Sequence, residues 1–375
     1  MKKLVLLVII ILLVYVQFNF FANKKQKWIA FNHKLIQYSG AFVPAENNII
    51  FAYSGCNINF KTNSKSLVLF LNDYSSDAQS NYIRVQINQK DTVLQLFSSI
   101  KKYDLSKLTT DIESFVQIFK LTEASVGKVE FEGVKMDENS ELLPCNLPQH
   151  KIVWIGNSVS CGYGNEVSVY GPPKGNPNTG FHSKNQNNYT AWGSVASRIC
   201  KAKAIHLCFS GKGLYRNFDG STMLLMHQFI QKAIPQEDID IIPSTVMAPI
   251  YVIHAGTNDF GFEGANPNNK VDSTLFTSGL HNVFNIIQSW NPLAHVVVVS
   301  SNMVSDFFPK NGHKRLKSYL NSAIKNYPNS LLKFHFLELA LQNEPYGENW
   351  HPSALEHQNM AKQIVPLLQD IQNKL

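Results

Sequence analysis

Hydrophobic and polar residues alternate in short runs between residues 28 and 143. Six of these runs have the length of β-strands, and turn-forming residues such as Ser54-Gly55 separate them. The predicted strands cover residues 48–54, 66–71, 82–88, 92–97, 115–122 and 128–134. Several short strands at this spacing, without a convincing helix, predict an all-β sandwich domain.

The pattern changes after residue 150. Apolar strands now alternate with segments in which hydrophobic residues recur at helical spacing; the clearest of these, residues 273–290, places Phe276, Leu280 and Val283 on one face. The predicted strands cover residues 152–155, 204–209, 250–254, 296–300 and 333–339. Repeated β-α units of this kind predict an α/β domain with a doubly wound, five-stranded parallel sheet.

The chain is therefore predicted to contain two folded domains. The proline-containing segment 143–148 is typical of a linker, and 375 residues suffice for two hydrophobic cores. We place the β-sandwich at residues 25–146 and the α/β domain at 147–375. The irregular stretch 166–188 is too long for a plain connection, so we expect it to shape the rim of a site.

Residues 1–24 resemble an export signal. Lys2 and Lys3 precede an apolar run, residues 4–16, that fits a signal-peptide core and is short for a membrane span. No Ala-x-Ala cleavage pattern follows, and residues 18–21 could extend the apolar run into an uncleaved anchor. We expect export to the periplasm, the cell surface or the medium, with either release or attachment to the membrane.

Composition argues against a nucleic-acid-binding protein. The hydrophobic content of 44% and charged content of 16% are those of an ordinary globular protein. The formal net charge is +7, but the 34 lysines and arginines are scattered along the chain. Clustering of basic residues, rather than their total, marks a nucleic-acid surface.

The cysteines and histidines do not have the spacing of metal ligands. There is no Cys-x-x-Cys pair, so zinc and a redox dithiol are not expected. In an exported chain Cys200 could pair with Cys208, or Cys56 with Cys145; buried free thiols are the alternative. Structural roles are expected for His182, His206 and His254. We expect no metal and no cofactor.

Small polar residues follow the predicted parallel strands. Ser158 comes directly after the first strand, Gly211 follows the second, Asn258 follows the third, and His351 precedes the last helix. The carboxyl ends of parallel strands meet at one edge of the sheet, where open α/β folds bind ligands. We therefore expect these four residues to converge.

This set of residues suits acyl transfer. A serine hydroxyl becomes a nucleophile when a base such as His351 takes its proton. The tetrahedral intermediate then carries a negative oxygen, which the N–H groups of Ser158 and Gly211 and the amide of Asn258 can stabilise. The sequence thus predicts a serine hydrolase.

The order of these motifs resembles the SGNH (GDSL-type) hydrolase superfamily, and within it carbohydrate esterase family 2. The resemblance covers about residue 28 to the end of the chain, and its best-matching stretches are 81–82, 157–166, 210–217, 256–260, 351–352 and 357–358. It implies an N-terminal jelly roll, a C-terminal SGNH domain, and removal of acetyl groups from plant polysaccharides such as xylan and glucomannan.

Carried over position by position, the resemblance makes Ser158 the nucleophile, His351 the base, and Gly211 and Asn258 the oxyanion donors. Two positions depart from the superfamily pattern. Asn157 stands before the nucleophile, where an aspartate is usual. The triad acid, usually an aspartate, lies three residues before the histidine. That position here is Glu348, whose side chain is one methylene longer. We expect Glu348 to orient His351; a backbone carbonyl is the alternative.

Three aromatic residues near these motifs are candidate substrate contacts. Trp350 precedes the base and could pack on the apolar face of a sugar ring. Tyr163 and Phe260 are weaker candidates of the same kind. A core position is the alternative for each.

The resulting expectation is an exported serine esterase that removes acetyl groups from a polysaccharide or oligosaccharide. One alternative is another SGNH acyl hydrolase, acting on lipids, thioesters or sialic-acid acetates. A second is a non-catalytic glycan-binding protein on the same scaffold. The sequence leaves the oligomeric state open.

Overall fold

The computed structural model describes residues 25–75, 78–110, 112–167, 179–328 and 331–375. The N-terminal half forms two antiparallel six-stranded sheets. The strands are β1 (Gln26–Ala30), β2 (Gln37–Ser39), β3 (Val43–Pro44), β4 (Ile49–Phe51), β5 (Asn57–Thr62), β6 (Leu67–Ser75), β7 (Tyr82–Ile87), β8 (Lys90–Gln95), β9 (Lys102–Asp104), β10 (Ser114–Lys120), β11 (Gly127–Asp137) and β12 (Leu142–Leu143).

One sheet has the order β3-β4-β11-β6-β9 with β1 paired to β11; the other has the order β12-β5-β10-β7-β8 with β2 paired to β5. Strand β6 shows why the chain folds this way: Leu67, Leu69 and Leu71 are buried, and the residues between them are partly exposed. Alternate side chains of a strand point to opposite faces, so each sheet buries one apolar face. The predicted jelly-roll sandwich is confirmed.

The C-terminal half is an α/β domain. Its strands are β13 (Lys151–Gly156), β14 (Lys203–Cys208), β15 (Ile250–Ala255), β16 (His295–Ser300) and β17 (Lys333–Leu337). Its helices are α1 (Ser158–Cys161), α2 (Trp192–Ile199), α3 (Met226–Phe229), α4 (Pro243–Val246), α5 (Thr257–Ala265), α6 (Ser273–Trp290), α7 (Gly312–Asn326) and α8 (Ala354–Gln372).

These five strands form one parallel sheet in the order β14-β13-β15-β16-β17. Strands β14, β13 and β15 therefore end side by side, and the loops that follow them lie at one edge of the sheet. Helices pack on both faces: residues such as Val153 join one core with α6, and Trp154 joins a second core with α2 and α8. The predicted doubly wound sheet is confirmed.

The two halves are closely joined. The core on the α6 side of the parallel sheet continues without a break into the interior of the sandwich. The buried Tyr53 of the sandwich donates a hydrogen bond to the carbonyl of Phe229, 2.6 Å away, and Lys128 pairs with Glu237 at 2.6 Å. The sandwich is thus packed against the domain that carries the candidate site.

Several expectations concern features outside this core architecture. The export segment 1–24 and residues 168–178 of the irregular stretch lie outside the described residues. No helix in the described ranges is long and apolar enough to cross a membrane. All five cysteines are free thiols, so neither Cys200–Cys208 nor Cys56–Cys145 is a disulfide.

Candidate active site

Ser158 lies at the turn between strand β13 and helix α1. Asn157 caps that helix, its side-chain oxygen accepting the N–H of Val159 at 3.2 Å. An added Cβ at Gly156 would lie 2.3 Å from Ser160 Oγ, so the tight turn requires glycine there. The N–H of Ser158 belongs to the first turn of α1, where amide donors lack intrahelical partners. The sequence thus places both a hydroxyl and a donor at the sheet edge.

His351 lies in contact with this serine, although 193 positions separate them in the chain. Its Nε2 is 2.8 Å from Ser158 Oγ. Its Nδ1 faces two main-chain oxygens, that of Glu348 at 2.9 Å and that of Asn349 at 3.1 Å. Carbonyls only accept, so Nδ1 carries the proton and the neutral ring presents an acceptor at Nε2. That is the tautomer a general base requires.

An unusual backbone conformation turns these carbonyls toward the ring. Asn349 and Trp350 are consecutive non-glycine residues in the left-handed region, with φ of 48° and 63°. Such a conformation costs roughly 1–2 kcal/mol per residue. The turn is closed by hydrogen bonds from the N–H of His351 to the carbonyl of Glu348 and from the N–H of Gly347 to that of His351. The strained backbone at Asn349 and Trp350 thus lies in the turn whose carbonyls orient His351.

The prediction that the Glu348 carboxylate orients His351 is corrected by this geometry. The carboxylate is buried and points toward residues 179–188 (the rim segment), away from the imidazole. It accepts the N–H of His182 at 2.9 Å and the side-chain amide of Asn185 at 2.6 Å, and it lies 2.7 Å from His182 Nδ1. The main-chain oxygen of Glu348 takes the place of the acid, because the left-handed turn directs it there. The alternative of a serine–histidine dyad fits the structure.

The surroundings of His351 keep it neutral. Desolvation lowers the pKa of His351 to about 4, and the two carbonyl contacts act in the opposite direction. The ring of Tyr163 stacks on the imidazole, with 4.1 Å between centroids and 25° between planes. The Tyr163 hydroxyl accepts a hydrogen bond from the Asn349 side chain at 2.7 Å. Tyr163 therefore lies in the site, where its ring packs against the imidazole of His351.

The predicted oxyanion donors lie on two neighbouring loops. Gly211 follows β14 with φ of 77°, and apart from its two chain neighbours no atom of the described residues lies within 4 Å of the position a Cβ would take. Its N–H can therefore be approached closely. Asn258, near the start of α5, donates one amide hydrogen to the carbonyl of Lys212 at 2.7 Å. An amide has a second hydrogen, which is the one that can serve a ligand.

Asp259, which was not predicted as a site residue, binds the loop that follows β14 (residues 209–216, the Gly211 loop). This buried carboxylate accepts the N–H groups of Leu214, Tyr215 and Arg216 at 3.1 to 3.3 Å. Burial raises the pKa of Asp259, and these hydrogen bonds act against the increase. Its position next to Asn258 in the sequence was the only available signal.

The remaining aromatic candidates differ in position. Trp350 is 48% exposed and packs beside Tyr346, with 5.4 Å between ring centroids, so its ring is available at the surface next to His351. Phe260 is fully buried between Phe276 and Tyr319, and the expectation of a substrate contact there is corrected. Helix α5 directs Phe260 into the core.

Metal ligands do not form a cluster in this part of the molecule. Across the described ranges, no group of three or more His, Cys, Asp or Glu side chains is arranged to hold an ion. A serine in contact with a neutral histidine at the edge of a parallel sheet, with candidate N–H donors on neighbouring loops, is the arrangement expected of a serine hydrolase.

Comparison with known proteins shows similarity to carbohydrate esterases. The model of the carbohydrate esterase 2 N-terminal domain matches residues 38–145. The cellulase/esterase CelE of Acetivibrio thermocellus is 31% identical over 261 residues, which are 69% of this chain and 30% of that protein. An acetylxylan esterase / glucomannan deacetylase of Cellvibrio japonicus is 23% identical over 346 residues, 87% of each chain. The chain thus carries a carbohydrate esterase 2 N-terminal domain, and its relatives and structural neighbours include family 2 carbohydrate esterases.

Solved structures have the same fold. A family two carbohydrate esterase from Clostridium thermocellum, in complex with cellohexaose, has a TM-score of 0.80 and 25% identity, covering 91% of this chain and all of that one (100%). A family two esterase from Cellvibrio japonicus has the same TM-score of 0.80 at 19% identity, covering 93% and 98%. The chain spans less than a third of CelE, 30%, and most of the length of the solved esterase chains.

Proposed function

We propose that this protein removes acetyl groups from a carbohydrate through an acyl-enzyme formed on Ser158. The observation that carries the proposal is the 2.8 Å contact between Ser158 Oγ and His351 Nε2, with Nδ1 held by main-chain oxygens. A neutral histidine in this position can take the serine proton at ordinary pH. The site needs no other group to activate the nucleophile.

In the first half of the reaction the Ser158 proton passes to His351, and Oγ bonds to the acetyl carbonyl carbon. The carbonyl oxygen becomes an oxyanion facing the N–H groups of Ser158 and Gly211 and the amide of Asn258. The bond to the sugar oxygen then breaks, and that oxygen takes the proton from His351. In the second half His351 deprotonates a water, whose oxygen bonds to the acetyl carbon. The bond to Ser158 Oγ then breaks, acetate leaves, and His351 returns the proton to Oγ. Each donor of this kind is worth about 10²–10³ in kcat.

Carbohydrate is proposed as the substrate class on two grounds. The relative from Cellvibrio japonicus is named an acetylxylan esterase / glucomannan deacetylase, and the solved esterase from Clostridium thermocellum holds cellohexaose. In this chain the exposed ring of Trp350 lies next to the base. An apolar ring surface suits the C–H face of a pyranose.

The direct test is hydrolysis of a chromogenic acetate ester by wild type and by Ser158→Ala. We expect Ser158→Ala to lose activity by at least about 10³-fold, as removal of a serine nucleophile does. Equal, slow rates for both proteins, with retained binding to glycans, would instead indicate a non-catalytic glycan-binding protein.

Two further assays address the substrate. A series of esters with longer acyl chains tests the lipase alternative. Acetylated xylan, glucomannan and acetyl-sugars assayed together identify the substrate.

We also propose that the chain is exported, on the basis of residues 1–24. The lysine pair and the following apolar run are the support for this. Cell fractionation, followed by N-terminal sequencing of the mature protein, distinguishes release from attachment through an uncleaved segment. Recovery of the intact chain in the cytoplasm would contradict export.

A further inference from the structure

A carboxylate from the β-sandwich is buried against the catalytic loops of the α/β domain. Glu123 lies in the turn after β10 and is only 1% exposed. Its Oε2 accepts the N–H of Ser210 at 2.7 Å, and its Oε1 accepts the Ser210 hydroxyl at 2.5 Å. Burying a carboxylate is costly unless hydrogen bonds satisfy it. The two donors of Ser210 offset part of this cost.

The same carboxylate contacts two further segments of the site. The Cys161 thiol, at the end of the helix that begins with Ser158, donates to it at 3.6 Å. The side-chain amide of Gln186 donates at 3.3 Å, and the N–H of Glu123 returns a hydrogen bond to Gln186 at 3.1 Å. Gln186 follows Asn185, which binds the Glu348 carboxylate. One side chain thus joins the nucleophile helix, the Gly211 loop and the rim segment.

The turn that carries Glu123 is itself braced from inside the sandwich. The buried ammonium of Lys120 donates to the carbonyls of Thr122 at 2.7 Å and of Glu123 at 3.3 Å. Burial lowers the pKa of Lys120 to about 7. Burial also raises the pKa of Glu123, while its hydrogen bonds to Ser210 favour the ionised form. The position of the carboxylate is therefore set by the N-terminal domain.

Gly211 lies between two buried carboxylates of opposite origin. Glu123 holds Ser210, directly before it, and Asp259 holds residues 214–216, which begin three positions after it. Gly211 itself is in the left-handed region with open space beside it, and its carbonyl accepts the N–H of Phe218 at 2.9 Å. The direction of its N–H therefore depends on hydrogen bonds, including those on either side of it.

We infer that Glu123 is a positioning residue for the oxyanion hole: it fixes Ser210 and thereby aims the Gly211 N–H at the oxygen of the tetrahedral intermediate. The inference rests on the proposed esterase function. It gives the sandwich a direct part in catalysis, because the residue that orients an oxyanion donor belongs to the other domain. Misplacement of a catalytic group by about 1 Å can cost about 10²-fold in rate.

The test compares Glu123→Gln with wild type in the full chain, using a chromogenic acetate ester. Gln keeps the size of the side chain but places an N–H donor where Ser210 or Gln186 also donates. We expect kcat to fall about 10- to 100-fold with KM changed less than threefold, because the oxyanion forms only after binding. The acid limb of the pH profile should stay where it is in wild type, since Glu123 does not touch the Ser158–His351 pair.

Two further variants make the result decisive. Glu237→Gln is the matched control, because it breaks another contact between the halves, the ion pair with Lys128, away from the Gly211 loop; its kcat should stay within twofold. Ser210→Ala removes only the hydroxyl contact with Glu123 and should lower kcat by about 3- to 10-fold. This variant tests the positioning role if Glu123→Gln does not fold.

The outcomes separate the two proposals. If wild type shows no Ser158-dependent hydrolysis, the esterase proposal fails and the positioning role fails with it. If wild type is active and folded Glu123→Gln keeps its kcat within threefold, only the positioning role is overturned. A displaced acid limb in Glu123→Gln would overturn it as well, because the variant would then disturb the base rather than the oxyanion hole.

Discussion

Glu348 meets His351 through its main-chain oxygen, which lies 2.9 Å from Nδ1, while its carboxylate binds His182 and Asn185. The residue thus occupies the sequence position of a triad acid without acting through its charge. A carbonyl can fix the tautomer of the imidazole, but it provides no full negative charge to stabilise the imidazolium. This relationship leads to two predictions about the base.

Glu348→Gln should lower kcat only about 3- to 30-fold. Loss of a genuine triad acid costs up to about 10⁴, but here the carboxylate acts on the rim segment rather than on the imidazole. His182→Ala is the matched control, because it breaks the same contact from the other side and should give a loss of similar size. Steady-state kinetics on a chromogenic acetate ester measures both. A loss above about 10³ for Glu348→Gln alone would restore the carboxylate as the acid.

The acid limb of kcat/KM should lie near pH 4, well below the ordinary histidine range. Activity requires neutral His351, and its pKa is lowered to about 4, so activity is lost only as the pH falls through that value. Above about pH 5 the profile should be flat until the basic limb. A pH–rate profile of the wild type checks this; an acid limb near 6.5 would show that the ring is better solvated than the structure indicates.

Folding stability should fall as the pH is lowered from about 6.5 toward 4. Burial lowers the pKa of His206, His254 and His357 to about 3, so the unfolded chain binds protons in this range that the folded chain does not. Stability then rises with pH between the folded and the unfolded pKa values. Thermal unfolding at several pH values measures the slope. His357→Gln should flatten it, and the exposed control His150→Gln should leave it unchanged.

Trp350→Gly should weaken use of a polymer without affecting a small ester. Glycine adopts the φ of 63° without strain, so the turn that orients His351 is preserved while the ring is removed. We expect KM for an acetylated polysaccharide to rise about tenfold, which corresponds to about 1.4 kcal/mol of lost contact. KM for the chromogenic acetate should change less than twofold. Parallel losses on both substrates would mean that Trp350 supports the turn rather than the substrate.

Asn157→Asp should leave kcat within about threefold of wild type, although aspartate is the usual residue of the superfamily. Asn and Asp cap helices about equally well, and the side chain of Asn157 bonds Val159 rather than Ser158 Oγ or His351. Asn157→Ala removes the cap and should cost about 1 kcal/mol of stability. Unfolding and steady-state kinetics of both variants test this; an increase in kcat above tenfold for Asn157→Asp would show that asparagine limits the enzyme.

The two domains and most of their strands and helices could be predicted from the sequence, because the spacing of hydrophobic residues depends directly on the type of secondary structure. Strand β16 appears as a continuous apolar run, and helix α6 as an apolar pattern with a period near 3.6. Strand β5 was missed: its inward-facing Ile58 and Phe60 alternate with Asn57 and Asn59, which have low strand propensity. Phe260 was assigned to the site by its proximity to Asn258 in sequence, but two residues along a helix point in different directions.

The sequence by itself predicted the candidate site residues Ser158, Gly211, Asn258 and His351, because each follows or precedes an element of a parallel sheet whose topology brings such residues to one edge. Tertiary structure alone decided what orients them. The carbonyls that hold His351 depend on two left-handed residues, and backbone conformation of that kind is not encoded in residue type. The carboxylate that holds Ser210 comes from the other domain, and no local pattern connects Glu123 with the loop it supports.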